Sequence, residues 1–293
     1  MGHASFASFA SFAEAMRLTR IEDAGDDEAT VSFAGELNRH WTIGPKLHGG
    51  AMLALCANAA RTACGGGESG PVQPVAVSGN FLWAPEPGAM TLTTRARKRG
   101  RRISVVDVEL SQGERTAVHA VVTLGEPEHH VPPLLSANPV PALMPPEPPE
   151  DLAPIGPGHP MAGLVNLAAG CDIRPVVSTL QPSAVPRKRE VLPDSPPLIQ
   201  LWVRPRGAAP DVLFALLCGD VSAPVTFAVE RTGWAPTVQL TAYLRGLPAD
   251  GWLRVLSSCV QIGQDWFDED HTVVDCEGRI VVQSRQLAMV PAR

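Results

Sequence analysis

The sequence predicts an α+β protein built as a tandem, with two antiparallel sheets each wrapped around a central helix. Three observations carry this: a proline-dense seam near the middle, one strongly apolar helix-like segment on each side of it, and a run of strand-like segments after each helix. Of the 29 prolines in 293 residues, eleven fall at positions 132–160. Such a stretch cannot continue a helix or a central strand, and it favours extended polyproline geometry. It is expected to be a surface linker at 129–160, joining a unit at 1–128 to a second at 161–293. Leu134, Leu135, Leu143 and Met144 are the residues expected to tack it down.

The elements follow in the same order on both sides. Residues 29–33 read as a strand. Residues 47–64, LHGGAMLALCANAARTAC, hold no acidic residue and, after His48, no charge until Arg61. A helix apolar on nearly all sides must be buried on nearly all sides. Strand-like segments at 74–83, 89–97, 102–110 and 115–124 are rich in Val, Thr and Ile and are parted by the turn signals PEPG, KRGR and SQGE. In the second part, strands are expected at 167–176 and 198–203, then a short apolar helix at 211–218 (DVLFALLC). Further strands are expected at 237–244, 252–262, 270–276 and 279–289. A helix followed by an antiparallel meander, occurring twice, is the tandem (double) hotdog architecture.

Composition removes several classes. The chain is 45% hydrophobic and 18% charged, with mean hydropathy +0.04, which excludes a wholly disordered polymer. Net charge is −6 and the isoelectric point about 5.8, so no nucleic-acid partner is expected. No apolar run reaches the roughly 18–20 residues that span a bilayer. The start, MGHASFASFASFAEAM, lacks a basic n-region and a long apolar stretch, so cytoplasm is the default expectation. Cys56, Cys64, Cys171, Cys218, Cys259 and Cys276 are widely spread and read as small apolar core residues in a reducing compartment. The glycine run at 65–70 satisfies G-x-G-x-x-G but follows a helix, so it reads as a helix stop. There is no G-x-S-x-G elbow, and no H-E-x-x-H or Cys/His cluster that would imply a metal. His129 and His130 border the seam as an expected exposed pair.

Several segments resemble the acyl-CoA thioesterase II (TesB-like) family of double hotdog enzymes. CDIRPV (171–176) is similar to that family's E-x-R-P-V strand. IQLWVRPRGAAPDVLFALLCGDVSAPV (199–225) is similar to its W-x-R stretch and the helix that ends in an aspartate. PTVQLTAYLRGLPADGWLRV (236–255) stands where the family has T/S-x-D-H and A-D-E-W-L. GRIVVQSRQ (278–286) resembles G-x-L-V-A-S-x-x-Q, and RKRGRRISVVDVELSQG (97–113) resembles an R-x-G-R strand pair. The family's D-H pair is Gln239-Leu240 here, and the loop between Asp220 and Thr237 is shorter.

The resemblance implies a catalytic set of Asp220, Thr237 and Gln286, an acyl-CoA substrate hydrolysed to free fatty acid and CoA, and no cofactor. It leaves open a homo-oligomer, a dimer of double hotdogs. The residues add their own argument. Asp220 ends the apolar segment ALLCGD, where partial desolvation raises a carboxylate's pKa and makes it a useful base. A hydroxyl from Thr237 and an amide from Gln286 can hold a water without adding charge. Local sequence fits equally an aspartate that ends a helix and two strand residues on a solvated face. His48-Gly49-Gly50 resembles the H-G-G helix start of many single hotdog thioesterases, whose free amides can hold a thioester oxygen. Tight helix packing under a capping histidine fits the same residues. The basic hairpin carrying Arg99, Arg101 and Arg102 is either a docking site for the phosphates of CoA or a solvated tip. The rival functions are a non-catalytic acyl-CoA or lipid-binding double hotdog and an enoyl-CoA hydratase-type hotdog.

Overall fold

The structure, a computed structural model, describes residues 11–22, 29–68, 70–128, 131–180 and 197–292. His129 and His130 lie outside the described residues. After a short helix α1 (Phe12–Ala15) come β1 (Thr19–Ile21), β2 (Thr30–Leu37) and a small ribbon of β3 (Thr42–Ile43) and β4 (Lys46–Leu47). The long helix α2 (Gly49–Ala63) follows, then β5 (Gln73–Phe81), β6 (Gly88–Lys98), β7 (Ser104–Gln112) and β8 (Arg115–Gly125). The seam holds one turn of helix, α3 (Val140–Leu143). The second half comprises β9 (Cys171–Pro175), β10 (Ile199–Pro205), α4 (Val212–Cys218), β11 (Thr237–Leu244), β12 (Leu253–Ser258), β13 (Trp266–Val274) and β14 (Ile280–Met289).

The repeat is exact in topology. From the centre outwards the first half runs β5-β8-β7-β6-β2 and the second β11-β14-β13-β12-β10, so each half places the strand before its helix outermost of these five. The two sheets of the tandem are joined edge to edge: β5 and β11 pair antiparallel, Gly79 opposite Leu240, and fuse them into one twelve-stranded sheet. Each half would otherwise expose an edge of unpaired backbone groups, and each closes the other's edge.

Helix α2 is buried from Gly50 to Arg61 without a break, as its charge-free sequence requires, and α4 is buried along its full length. The sheet presses closely on α2. A Cβ at Gly79 would stand 2.3 Å from a Leu53 methyl, so glycine lets β5 pass without moving that side chain. Residues 167–169, expected to begin a strand, instead lie in a 3-10 turn, Asn166–Ala169, ahead of β9. No helix among the described residues is long and apolar enough to cross a membrane.

The first part of the seam lies across the outer face of the second half's sheet, and of the four residues expected to hold it down Met144 does so. Leu134, Leu135 and Leu143 are exposed. Val140 and Met144 are buried against Trp202, Trp252, Leu256 and Val274, and Ile155 is buried in the main core. Long side chains of the sheet then hold the seam's carbonyls: Trp202 Nε1–H donates to Pro145 O (2.9 Å), Arg254 to Met144 O (2.9 Å) and Arg174 to Leu152 O (2.8 Å). Prolines remove backbone donors from this segment, so its carbonyls find partners on side chains instead.

Because the β5–β11 pairing and the α2–α4 contact both cross the halves, cutting the chain within 132–160 should leave a complex that co-elutes on size exclusion. Two separately expressed halves that are each soluble, folded and monomeric would contradict a shared sheet.

Candidate active site

The β3–β4 ribbon delivers the chain to His48, which caps α2: its Nδ1 accepts the Ala51 N–H (3.3 Å). A nitrogen that accepts has no proton, so the neutral ring carries its proton on Nε2 and donates it to the backbone oxygen of Asp220 (2.9 Å). Asp220 follows the end of α4. Its Oδ2 accepts the Gly50 N–H at 2.7 Å and lies 3.9 Å from His48 Nε2. The two glycines are needed for this approach. A Cβ at Gly49 would meet Asp220 Oδ2 at 2.7 Å, and one at Gly50 would meet the Leu217 carbonyl at 2.7 Å. The Gly50 amide, one of the donors expected to hold a thioester oxygen, is thus engaged by Asp220.

Burial raises the Asp220 pKa, against the pull of His48, His271 and the Gly50 amide. A helix start favours a carboxylate by about 0.3–1 kcal/mol, up to about 2 when partly buried. Desolvation outweighs that here, and the group is left more basic than an ordinary aspartate.

Thr237 begins β11, where alternation alone would turn its side chain outward. A bulge between Thr237 and Gln239 resets the register, so Thr237 stands opposite the inward-facing Ala288. Its hydroxyl then donates to Gln286 Oε1 on β14 (2.6 Å). Gln239 faces outward, donating to Thr241 (2.7 Å) and Ser78 (3.1 Å) at the join of the halves, while Leu240 is in the core.

A second group of buried polar residues, absent from the sequence reading, stands beside these. Glu269 and His271 on β13 are 1% and 2% exposed. Glu269 Oε1 accepts from the hydroxyls of Ser222 and Ser257 (2.7 Å for Ser257), and its Oε2 accepts from Gln286 Nε2 (3.4 Å) and the Val225 N–H (3.4 Å). His271 Nε2 lies 2.9 Å from Ser222 Oγ. With the Ser222 proton given to Glu269, His271 Nε2–H is the donor, and the unpartnered Nδ1 is left as the deprotonated nitrogen. Burial raises the Glu269 pKa and lowers that of His271 to about 4, so the ring is neutral at ordinary pH. The residues were missed because FDEDH reads as a solvated acidic run. Period-two alternation instead sends Asp268 and Asp270 out to Arg285 and turns Glu269 and His271 in.

His48, Gly49, Asp220, Ser222, Thr237, Glu269 and Gln286 line one cavity of about 580 Å³, whose other walls are mostly apolar. Met52 and Phe81 come from the first half, and Ile173, Leu201, Phe227 and Phe267 from the second. Arg99, Arg101 and Arg102 are not among its walls. They sit in the β6–β7 turn, where Arg99 reaches Ala63 O (3.4 Å) at the far end of α2. A helix of 15 residues is about 22 Å long, so this hairpin does not border the cavity. Among the described residues no group of three His, Cys, Asp or Glu could hold a metal ion, and the six cysteines are free.

Comparison with known proteins matches residues 37–125 to the acyl-CoA thioesterase N-terminal domain and residues 146–290 to the acyl-CoA thioesterase C-terminal domain. An uncharacterised protein of Mycobacterium tuberculosis is 68% identical over 292 residues, covering 95% of this chain and 98% of that protein. A Thermobifida fusca protein assigned as a thioesterase II is 28% identical with a TM-score of 0.76, covering 96% of this chain and 97% of its own. A hot dog fold protein of unknown function from Alicyclobacillus acidocaldarius shares the fold at 17% identity and a TM-score of 0.70, covering 96% and 98%.

Two consequences for stability follow from the burial of these groups. A carboxylate whose folded pKa is raised stabilises the fold below its unfolded pKa and loses that contribution as pH rises through the folded value. Asp220→Asn should therefore raise the melting temperature by a few degrees at pH 7, and the gain should shrink as pH falls toward the ordinary aspartate range. For His271, whose folded pKa is about 4 against 6.5 in the unfolded chain, the stabilising contribution is present above 6.5 and lost as pH falls toward 4. His271→Gln should flatten that part of the acid limb in a melting-temperature series. An unchanged limb would mean that the ring charges freely in the folded state.

Proposed function

The chain belongs to the acyl-CoA thioesterase family, and on that footing we propose that it hydrolyses fatty acyl-CoA to free fatty acid and CoA with a water activated by Asp220, Thr237 and Gln286. The observation that carries this reading is convergence. Three separate elements bring a base, a hydroxyl and an amide to the wall of one apolar cavity: the end of α4, the bulged start of β11 and the inward face of β14. An acyl chain needs such walls, and a thioester needs a water with somewhere to send its proton.

In this mechanism the desolvated Asp220 carboxylate takes a proton from water as the oxygen attacks the thioester carbonyl. Thr237 has already given its hydroxyl proton to Gln286, so its oxygen lone pairs face the water as acceptors. The C–S bond breaks as the tetrahedral intermediate collapses, and the proton held by Asp220 passes to the departing CoA sulfur. Gln286 keeps one amide N–H for Glu269 and leaves the other to orient water or substrate. No protein nucleophile and no cofactor enters the step. The outward Gln239 and the buried Leu240 stand away from the water's partners, so their departure from the D-H pair leaves the three groups in place.

Thiol release from short-, medium- and long-chain acyl-CoA tests the reaction and ranks the chain lengths. Asp220→Asn should lower kcat by roughly 10²–10⁴-fold, the range for loss of a general base. KM should move little, because the loss lies in the transition state. Gln286→Ala and Thr237→Val should each cost less, since the base remains. Tight acyl-CoA binding with no thiol release would instead favour a binding protein, and normal turnover in Asp220→Asn would remove it as the base.

A further inference from the structure

Gln286 has two chemically different ends of similar shape, and which end faces Thr237 decides what Thr237 offers to the cavity. With Oε1 toward Thr237, the threonine must donate its proton to Gln286, and its oxygen is left to accept from water. With the amide reversed, Nε2–H would donate to Thr237, and the hydroxyl proton would be free to point at the water. The threonine would then be a donor competing for the same lone pair that must attack. One feature of the site selects between these states. Glu269 stands opposite Gln286 across the β13–β14 pair and meets its Nε2 at 3.4 Å. A carboxylate oxygen there accepts an N–H and repels a carbonyl oxygen.

Glu269 is itself fixed. The Ser222 and Ser257 hydroxyls donate to Oε1, and the Val225 N–H joins Gln286 at Oε2. Four donors and no competing acceptor converge on a side chain 1% exposed, and they hold its carboxylate in one orientation against the burial that raises its pKa. Its donors come from the loop after α4, from β12 and from β14, so the orientation of one amide draws on three parts of the second half.

We propose that Glu269 is a positioning residue of the hydrolytic site: its carboxylate orients the Gln286 amide, and through it sets Thr237 as an acceptor toward the attacking water. The inference rests on the thioester-hydrolysis reading of the same site and deepens it. Glu269 is given no contact with the thioester; it acts through Gln286.

A double-mutant cycle on the full-length protein tests this, with kcat, KM and melting temperature measured for wild type, Glu269→Gln, Gln286→Ala and the double variant. Glu269→Gln, which can present either a donor or an acceptor to Gln286, should lower kcat by roughly 10²-fold, the scale for a misplaced reacting group, with KM unchanged. In the Gln286→Ala background the same change should alter kcat by less than about twofold, because the residue it acts through is gone. Equal losses in the two backgrounds would overturn the inference, as would a fall in melting temperature with normal turnover per folded molecule. If Glu269→Gln does not fold, Glu269→Asp, which keeps the charge but withdraws it by one methylene, is read through the same cycle. Absence of thiol release by the wild type from any acyl-CoA overturns the hydrolysis reading and this one with it. A turning-over wild type with an additive cycle overturns this one alone.

Discussion

The Gly50 amide donates to the Asp220 carboxylate across 170 residues of sequence, and the rest of the molecule is arranged so that this contact can form. The start of one buried helix meets the end of the other, and His48 adds a second link from its ring to the Asp220 carbonyl. A carboxylate in so dry a place needs donors, and the first turn of α2 supplies them without a competing cation. The contact requires two glycines, two helices buried on all faces and a sheet that brings the halves into fixed register. A charge that water would otherwise solvate thereby becomes a basic group facing an apolar cavity.

The shared sheet explains why the cavity belongs to neither half. Once β5 and β11 pair, the helices on the concave side are pressed together, and the space near the start of α2 is walled by Phe81 from the first half and by Phe227 and Phe267 from the second. The seam lies on the opposite face, where Met144 and Val140 cover Trp202 and Trp252. The end of the connector turns back to the cavity side, where Ile155 joins the lining and its N–H donates to Ile173 O (2.8 Å).

Local sequence carried the elements better than their mutual placement. The charge-free run before Arg61 could only be a buried helix, and the glycine- and charge-rich turns marked the strands that follow. The direction a strand residue faces was harder to read. Glu269 looks solvated beside Asp268 and Asp270, and its inward phase is set by β12 and β14, which lie 10 to 20 positions away in the chain on either side. Thr237 points inward only because of a bulge that no residue type announces. The hairpin at Arg99 was recognisable as a turn, yet its distance from the cavity depends on which end of α2 carries the site. Asp220, Thr237 and Gln286 were picked out by family resemblance, with desolvation as the local argument for the first alone.

The repeat offers a comparison within one molecule. Helices α2 and α4 run antiparallel, so the pair has two ends, each made from one helix start and the other helix's finish. At one end His48 caps α2 and Asp220 follows α4. At the other Asp211 caps α4, accepting the Phe214 N–H at 2.7 Å, and Arg61 lies near the finish of α2. Arg61 is held by Asn58 (2.7 Å) and by Gln73 (2.9 Å), which begins β5 as Thr237 begins β11. Gln73 in turn donates to the carbonyls of the loop after α2, at 2.7 Å for Gly70 and 3.0 Å for Gly67. The long arginine side chain and its partners fill that end, and Asp211 feels a nearby cation where Asp220 meets the ring of His48. The two ends share a backbone plan, and the difference between a sealed network and an open site comes down to the side chains at these few positions. Opposite charges neutralise one end, whereas at the other two carboxylates, Asp220 and Glu269, are kept in the dry by hydrogen bonds rather than by counter-ions. Burial raises the pKa of Asp211 as it does that of Asp220, but of the two only Asp220 lines the cavity.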